Sequence, residues 1–398
     1  MRYCIIGNGV AGHTAALAIR ELDRQGELTI LSEEPYPFYS RIRLIDLLAG
    51  RVEPEGIVLA RTGRYASLGI DLRTSCPVTA IDPAARTVET AGGTRLGYDR
   101  LLVATGARVL VPPLPGAQLP GVMTLRSLDD AVAVRAAAQT AASVVVIGGG
   151  VLGLEVANSL LAPGRSMTVI EIFDRLLPRQ LDQAASRLLQ AQLAARGLAV
   201  VLAGPVQALC GRERVTGVQL CDGRLLPADL VLLSTGICAE QSLLRPLGLA
   251  GERGVAVDDR LATARPEIFA AGDLVCHRQR MYGIWPAAEA QGRVAGTVMA
   301  GGRALYTGTT TAHTLKVAGI DLLAVGDIDA EGRLPSLVHQ DEAAFVYRKL
   351  VVDGDRLAGA ILYGDLRHRQ RVLRAVTQGL DIRPYAEALA AGDLGALP

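Results

Sequence analysis

The chain has 398 residues, a formal net charge of +1, 44 glycines and 50% hydrophobic residues. The balanced charge gives no reason to expect nucleic acid or a membrane surface as a partner, and no apolar run is long enough for a spanning helix. The first residues lack the small-residue cleavage site of a signal peptide, so we expect none. This length and composition favour two or three α/β domains.

Six cysteines are scattered along the chain, at positions 4, 76, 210, 221, 238 and 276. No two form a C-x-x-C pair, and none lies at metal-ligand spacing from a pair of histidines. We therefore predict free thiols, no metal site and a cytoplasmic location.

The first 32 residues have the pattern of a β-α-β unit. Short apolar runs at 2–6 and 28–32 flank a helical pattern from Ala11 to Arg24. Gly7, Gly9 and Gly12 form G-x-G-x-x-G directly after the first run. This spacing permits a tight turn, close approach of a pyrophosphate to the backbone, and packing of the helix on the strand. An acid after the second strand should hold ribose hydroxyls, and Glu33 and Glu34 are the candidates.

The same pattern returns at 143–171, with a strand at SVVVI, a helix at VLGLEVANSLLA and a strand at MTVIE. Gly148, Gly150 and Gly153 repeat the motif, and the second strand ends in Glu171. A carboxylate there accepts hydrogen bonds from the ribose and repels a 2′-phosphate. Because the nearest arginine, Arg175, is four residues on, we predict NADH rather than NADPH.

The segments around the repeats suggest how the chain divides. The proline-rich stretch 111–120 is interpreted as a crossing between domains. Residues 207–236 predict a hairpin followed by a buried strand, and EIFAAGDLV predicts a strand that ends at a turn. From about residue 310, strand patterns and a closing helix, RQRVLRAVTQG, predict an antiparallel sheet with helices.

Two dinucleotide sites on one chain indicate electron transfer between two cofactors. A nicotinamide delivers hydride, and a flavin is the obvious acceptor because it takes a hydride and releases single electrons.

Five features in the expected order resemble the FAD/NAD-linked oxidoreductases of the glutathione-reductase fold. They are GNGVAG at 7–12, SEEPYPFYSR at 32–41, LLVATGA at 101–107, GGGVLGLE at 148–155 and FAAGD at 269–273. Within that family the chain most resembles NADH:rubredoxin reductases and the flavin half of the nitrite reductase large subunit.

The resemblance implies an α/β fold with two Rossmann-like nucleotide-binding domains and a C-terminal α+β domain. The implied divisions are a discontinuous FAD-binding domain at 1–110 and 238–308, an NAD-binding domain at 111–237 and a C-terminal domain at 309–398.

The resemblance also assigns site residues. Besides the glycines of the first motif, it implies FAD contacts at Glu33, Arg41, Val78, Thr105, Gly106 and Asp273. It places Glu155 near the nicotinamide, Gly236 at a turn where nicotinamide and flavin meet, and Trp285 beside the flavin ring. AHTLKVAGID at 312–321 matches a pattern of the nitrite reductase C-terminal domain, which makes Lys316 a candidate for the flavin face.

Three departures from the family pattern matter. The segment YSRIRLIDLLAG lacks the cysteines of disulfide-reducing and peroxidase relatives, so dithiol chemistry is not expected. Several ferredoxin-reductase relatives carry a lysine near this point, where this chain has Arg43 and Asp46. No four-cysteine cluster follows residue 310, so we expect that this chain does not reduce nitrite by itself.

The resulting hypothesis is an NADH-dependent FAD oxidoreductase. NADH binds on the second motif, hydride passes to the flavin, and electrons then pass to a small carrier of the rubredoxin or ferredoxin type. Three alternatives stay open: a subunit that feeds a larger iron–sulfur or metal enzyme, an NADH oxidase, and a non-catalytic NADH sensor. A homodimer is also left open. A basic stretch, LRHRQRVLR, is a candidate surface for an acidic carrier and holds Arg367, His368, Arg369, Arg371 and Arg374.

Overall fold

The computed structural model describes residues 1–309 and 312–398, and for 312–317 it describes the backbone alone. The chain forms two compact units. Unit 1 comprises Met1–Leu44, Val52–Leu110 and Ile237–Thr309. Unit 2 comprises Ile45–Arg51, Val111–Gly236 and Thr310–Pro398. The division into three domains stays a prediction.

Residues 1–110 contain eight strands and three helices. The strands are β1 (Arg2–Ile6), β2 (Glu27–Leu31), β3 (Ile70–Arg73), β4 (Val78–Asp82), β5 (Thr87–Thr90), β6 (Arg95–Gly97), β7 (Arg100–Val103) and β8 (Ala107–Val109). The helices are α1 (Val10–Leu22), α2 (Leu44–Leu48) and α3 (Thr62–Ser67).

Residues 111–236 contain eight more strands and three helices. The strands are β9 (Val122–Thr124), β10 (Ser143–Ile147), β11 (Ser166–Ile170), β12 (Leu198–Val201), β13 (Val206–Gly211), β14 (Val215–Leu220), β15 (Leu225–Pro227) and β16 (Leu230–Leu233). The helices are α4 (Leu128–Thr140), α5 (Val151–Ser159) and α6 (Gln183–Ala194).

The remaining elements belong to two further stretches. Residues 237–309 hold β17 (Ile237–Ala239), β18 (Val255–Val257), β19 (Ile268–Ala270), β20 (Val275–His277) and α7 (Trp285–Met299). Residues 312–398 hold β21 (Ala312–Val317), β22 (Ile320–Gly326), β23 (Ser336–Asp341), β24 (Val346–Asp353), β25 (Arg356–Tyr363), α8 (Arg369–Gln378) and α9 (Ala386–Ala390).

Each unit contains a five-stranded parallel sheet. The order is β19-β7-β1-β2-β3 in unit 1 and β12-β11-β10-β16-β9 in unit 2. The central strands read RYCII and SVVVI, and four of the five residues in each are buried. Near-continuous apolar runs of this kind are typical of parallel strands covered on both faces. Both β-α-β predictions are confirmed.

Helix α7 packs along α1 in unit 1 through two small residues. A Cβ on Gly292 would lie 2.3 Å from the carbonyl oxygen of Ala11, and one on Gly296 would lie 2.3 Å from that of Ala15. The two backbones therefore approach so closely that no larger residue fits. This contact fixes the helix that begins at Trp285 against the helix that follows the first glycine motif.

The last five strands of unit 2 form an antiparallel sheet in the order β21-β22-β25-β24-β23. One face packs against α8 and against the residues that follow α8, through residues such as Leu362 and Val372. On β24, the Tyr347 hydroxyl donates to the Asp182 carboxylate over 2.6 Å, and the buried Lys349 lies 3.6 Å from the same carboxylate. The predicted antiparallel sheet and closing helix are confirmed.

None of the helices found within residues 1–309 and 312–398 is long and apolar enough to cross a membrane.

Candidate functional site

The first glycine motif forms a tight turn between β1 and α1. Gly7 has a φ of +106°, and a Cβ there would lie 2.3 Å from the carbonyl oxygen of Ala104. A Cβ on Gly12 would lie 2.0 Å from the carbonyl oxygen of Gly7. By contrast, a Cβ on Gly9 would have no neighbour within 4 Å. The fold therefore needs the first and third glycines, whereas the second keeps open space beside the backbone.

The second motif repeats this design in unit 2. Gly148 has a φ of +119°, and its Cβ would lie 2.2 Å from the carbonyl oxygen of Ser234. The Cβ of Gly153 would lie 1.9 Å from the carbonyl oxygen of Gly148, and that of Gly150 would again meet nothing within 4 Å. Both turns thus leave the space that a pyrophosphate needs to reach backbone amides.

The helices that follow these turns have uncapped N-termini. Gly9 and Gly150 are the N-cap residues of α1 and α5, without a side-chain hydrogen bond and without an acid in the first turn. The neighbouring helices α4 and α6 are capped by Ser127 and Asp182. The free amides and helix dipoles of α1 and α5 therefore suit an anionic ligand.

The two parallel sheets also correspond at the ends of strands β2 and β11. The Gly7 amide donates to the Leu31 carbonyl over 2.8 Å, as Gly148 does to Ile170. This correspondence aligns Ser32, rather than Glu33, with Glu171. Glu33 follows one residue later and is exposed.

Glu171 is 5% exposed and is held from two sides. Its carboxylate accepts from the Gly149 amide over 2.7 Å and from the Phe173 amide over 3.0 Å. Arg175, the nearest arginine in sequence, is paired with Asp174 and with Glu331. The acid is therefore fixed beside the second glycine turn, and the arginine charge is balanced by other carboxylates.

Arg41 and Glu34 form an ion pair in unit 1. The Tyr39 hydroxyl donates to the same carboxylate. Glu34, the alternative candidate for the ribose acid, is thus engaged by two side chains. Glu33 stays the predicted ribose acid.

A hydrogen-bonded chain supports the first glycine turn. His13 Nδ1 lies 2.8 Å from the Tyr65 hydroxyl, which donates over 3.0 Å to the Asn8 carbonyl Oδ1. Asn8 Nδ2 is buried and has no acceptor among the described residues. Burial lowers the pKa of His13 to about 4, so its ring is neutral near pH 7. This leaves a buried amide donor between Gly7 and Gly9, which fits a cofactor with phosphate oxygens.

The Gly272–Asp273 turn follows β19 and lies against α1. A Cβ on Gly272 would lie 3.1 Å from the Ala11 Cβ, and the Gly272 amide donates over 2.8 Å to the Gln291 side chain. Gln291 is 1% exposed. The structure thus brings Asp273 to the first turn of α1. Sequence reasoning missed Gln291, whose only signal is a polar residue on the apolar face of α7.

Trp285 begins α7 and is half-buried. Its ring lies 5.8 Å from that of Phe38, which stacks on His13 at 4.3 Å. The tryptophan therefore belongs to the aromatic cluster that lies behind the first glycine turn.

The remaining predicted FAD contacts lie at strand ends in unit 1. The Thr105 hydroxyl donates to the Glu240 carbonyl over 3.0 Å, and the Gly106 carbonyl accepts from the Glu240 amide over 2.9 Å. Val78 begins β4 and is half-buried. In unit 2, Gly236 follows β16 with a φ of +107° and open space at its Cβ position.

Glu155 is half-buried on α5, five residues after Gly150. Burial raises the pKa of its carboxyl group, and the Ala318 amide, which donates to Oε1 over 2.8 Å, opposes that rise. The side chain of Lys316 lies outside the described residues.

Comparison with known proteins agrees with this geometry. The family model for pyridine nucleotide-disulphide oxidoreductases matches residues 1–292. The model for the rubredoxin NAD+ reductase C-terminal domain matches residues 312–380.

Two curated relatives and one solved structure are similar along most of the chain. The assimilatory nitrate reductase electron transfer subunit of Bacillus subtilis (strain 168) is 35% identical over 96% of this chain and 50% of its own length. The biphenyl dioxygenase system ferredoxin–NAD(+) reductase component of Paraburkholderia xenovorans (strain LB400) is 34% identical over 83% of this chain and 82% of its own. A NAD-dependent persulfide reductase from A. fulgidus has a TM-score of 0.89 and 29% identity over 97% of this chain and 78% of its own.

Several curated relatives match this chain over nearly its whole length, but the chain spans only about half of theirs. The fold class, the resemblance and the flavin-dependent oxidoreductase class predicted from the sequence are confirmed, and FAD and NAD(H) are the cofactors of this family. The chain belongs to the pyridine nucleotide-disulphide oxidoreductase family.

Proposed function

We propose that the chain is an NADH-dependent oxidoreductase that holds FAD as its cofactor and passes electrons to a small protein carrier. The observation that carries the proposal is the duplicated glycine turn, with an open second glycine and an uncapped helix in each unit. One such turn is assigned to FAD and the other to NADH. The chemistry that FAD would supply when bound is acceptance of a hydride and release of electrons one at a time.

In unit 1 the residues around Gly9 hold and orient FAD. The α1 amides and the buried Asn8 amide donate to the pyrophosphate, and Asp273 binds the ribityl chain. Arg41 and Val78 contact the nucleotide portion, Thr105 and Gly106 close the pocket, and Trp285 lies beside the ring system.

In unit 2 the turn around Gly150 binds the NADH pyrophosphate, and Glu171 accepts from the adenosine ribose hydroxyls. Ile172 and Phe173, which are 64% and 57% exposed, offer apolar surface for the adenine. Because Arg175 is paired with Asp174 and Glu331, it is not free to bind a 2′-phosphate, and Glu171 would repel one, which favours NADH over NADPH. Glu155 and Gly236 contact the nicotinamide.

The carrier is proposed to be of the ferredoxin or rubredoxin type. The name of the Paraburkholderia relative supports a ferredoxin, and the match at 312–380 supports a rubredoxin. On α8, Arg369 and Arg374 are exposed and have no side-chain partner among the described residues, so they suit an acidic carrier. Arg371 is less suited, because its guanidinium group donates to the carbonyl of Gly395 near the C-terminus.

A second candidate is an electron-transfer subunit of a larger iron–sulfur or metal enzyme, favoured by the name of the Bacillus relative. The lack of cysteine in residues 39–50 argues against the persulfide chemistry named for the A. fulgidus structure. All six cysteines are free, which supports the proposed cytoplasmic location. A homodimer remains to be tested by light scattering.

The experiment is a steady-state NADH assay of the FAD-loaded protein with rubredoxin, ferredoxin, oxygen or ferricyanide as acceptor. We expect turnover with ferricyanide and with one protein carrier, and slow turnover with oxygen. Charge reversal at Arg369 and Arg374 should lower the carrier on-rate at low salt, while reduction of ferricyanide stays unchanged. Fast turnover with oxygen and none with carriers would make the chain an NADH oxidase instead.

A further inference from the structure

The turn between β21 and β22 holds an alanine, Ala318, in a backbone conformation that alanine rarely adopts. Val317 pairs with Ile320, which leaves Ala318 and Gly319 as a two-residue hairpin turn. Their φ angles are +49° and +77°. Two-residue hairpin turns of this kind need positive φ at both turn residues. Glycine adopts positive φ easily, whereas alanine rarely does. Ala318 is nevertheless fully buried at this strained position.

Two side chains from the nucleotide-binding part of unit 2 hold this turn by its backbone. The Ala318 amide donates to Glu155 Oε1 over 2.8 Å. The Ala318 carbonyl accepts from the guanidinium group of Arg196, which follows α6. Arg196 also lies over Gly319, with a guanidinium nitrogen 3.6 Å from where a Cβ would stand. Both polar backbone groups of Ala318 are therefore bound by side chains.

The hydrogen bond from the Ala318 amide is the main polar contact of the Glu155 carboxylate. Among the described residues, the Ala318 amide makes the one hydrogen bond to this carboxylate. Within the part of the chain that the structure describes, the charged groups that act on it are Arg51, which favours its ionised form, and Asp46, which opposes it. The carboxylate thus keeps its direction through a backbone group of the C-terminal sheet.

We propose that the Ala318–Gly319 turn positions Glu155 for NADH, and that Arg196 is the positioning residue that holds the turn in place. The inference rests on the proposed function, in which Glu155 contacts the nicotinamide. It gives the C-terminal sheet a part in NADH binding that is separate from any carrier docking.

The test compares Arg196→Met with Arg212→Met, a matched change at an exposed arginine of the β13–β14 hairpin. With the FAD-loaded protein, Arg196→Met should lower kcat/KM for NADH by roughly 3- to 10-fold, the scale of one lost hydrogen bond. It should also shift the acidic limb of the pH profile upward, because Glu155 loses the amide that favours its ionised form. Arg212→Met should change neither quantity, and Arg196→Lys should restore part of the loss.

A double-mutant cycle with Glu155→Gln separates positioning from general stabilisation. In the Glu155→Gln background the acidic limb should disappear, and Arg196→Met should then change kcat/KM by less than about 2-fold. An equal effect of Arg196→Met in both backgrounds, or an unmoved pH profile, would overturn the inference. If NADH does not reduce the wild-type flavin at all, the proposed function fails rather than the positioning role.

Discussion

The second glycine of each motif offers a change with opposite effects on folding and on binding. Gly9 and Gly150 have extended backbones, with φ near −80° and −79°, and an added Cβ would meet nothing within 4 Å. Alanine should therefore fit both positions in the protein alone. By reducing the freedom of the unfolded chain, it should stabilise the apoprotein by about 0.4–1 kcal/mol.

The same methyl group should weaken ligand binding, because it occupies the space through which a pyrophosphate reaches the backbone. Forcing an extra carbon into a close contact costs about 1–3 kcal/mol, which corresponds to about 5- to 150-fold in affinity. Gly9→Ala should weaken FAD binding by this factor and leave the KM for NADH unchanged once FAD is saturating. Gly150→Ala should raise the KM for NADH and leave FAD binding unchanged.

Gly7→Ala is the contrasting control. Its Cβ would lie 2.3 Å from a backbone oxygen at a φ of +106°, so overpacking and backbone strain together should cost the apoprotein about 2–6 kcal/mol. Urea unfolding measures the stability of the apoproteins. Fluorescence titration measures FAD binding, and steady-state kinetics measures the KM for NADH. These expectations are wrong if Gly9→Ala destabilises the apoprotein as Gly7→Ala does, or if alanine at neither open glycine weakens binding of the assigned nucleotide.

Three further predictions concern single side chains. Glu171→Gln removes the charge that opposes a 2′-phosphate, so the preference for NADH over NADPH should fall by about 10-fold in kcat/KM; an unchanged ratio would remove Glu171 from coenzyme selection. Tyr347→Phe deletes the buried hydrogen bond to Asp182 and should lower the free energy of unfolding, measured in urea, by about 1–3 kcal/mol. An unchanged free energy of unfolding would show that this hydroxyl does not stabilise the fold. The low pKa of His13, about 4, means that the unfolded chain gains a proton below pH 6.5 while the folded protein does not. Stability should therefore fall by about 2 kcal/mol from pH 8 to pH 5, and His13→Gln should flatten this dependence; an equally steep loss in the variant would contradict the assignment.

The nucleotide-binding halves of the fold could be predicted because their signals are local. Strands β1 and β10 have the bounds predicted from their apolar runs, and the first and third glycines of each motif stand where the fold has no room for a Cβ. Helix α5 ends at Ser159, three residues before the predicted end at 162. Pro163 explains why the helix does not reach the predicted end at 162, because the residue before a proline avoids helical geometry.

The parts that could not be predicted depend on contacts between distant residues without a motif. Glu155 and Ala318 are 163 residues apart, and the donor is a backbone amide that any sequence would supply. Gln291 reaches the Gly272 amide across 19 residues. Arg371 belonged to a predicted basic surface, but its guanidinium group binds the carbonyl of Gly395.

The other missed features follow from similar causes. The correspondence of Ser32 with Glu171 emerges only from strand register, because both Glu33 and Glu34 satisfy the sequence pattern. Helix α9 at Ala386–Ala390 was not predicted, since its five residues are too few to show a helical period.

The proposed function requires that one chain bind both nucleotides so that NADH reduces FAD. The most direct measurement is anaerobic stopped-flow mixing of the FAD-loaded protein with NADH, followed by the absorbance of the flavin. We expect rapid bleaching in the wild-type protein and slower bleaching in Gly150→Ala at limiting NADH. A protein that binds no FAD, or whose bound flavin stays oxidised with NADH in excess, would contradict this expectation.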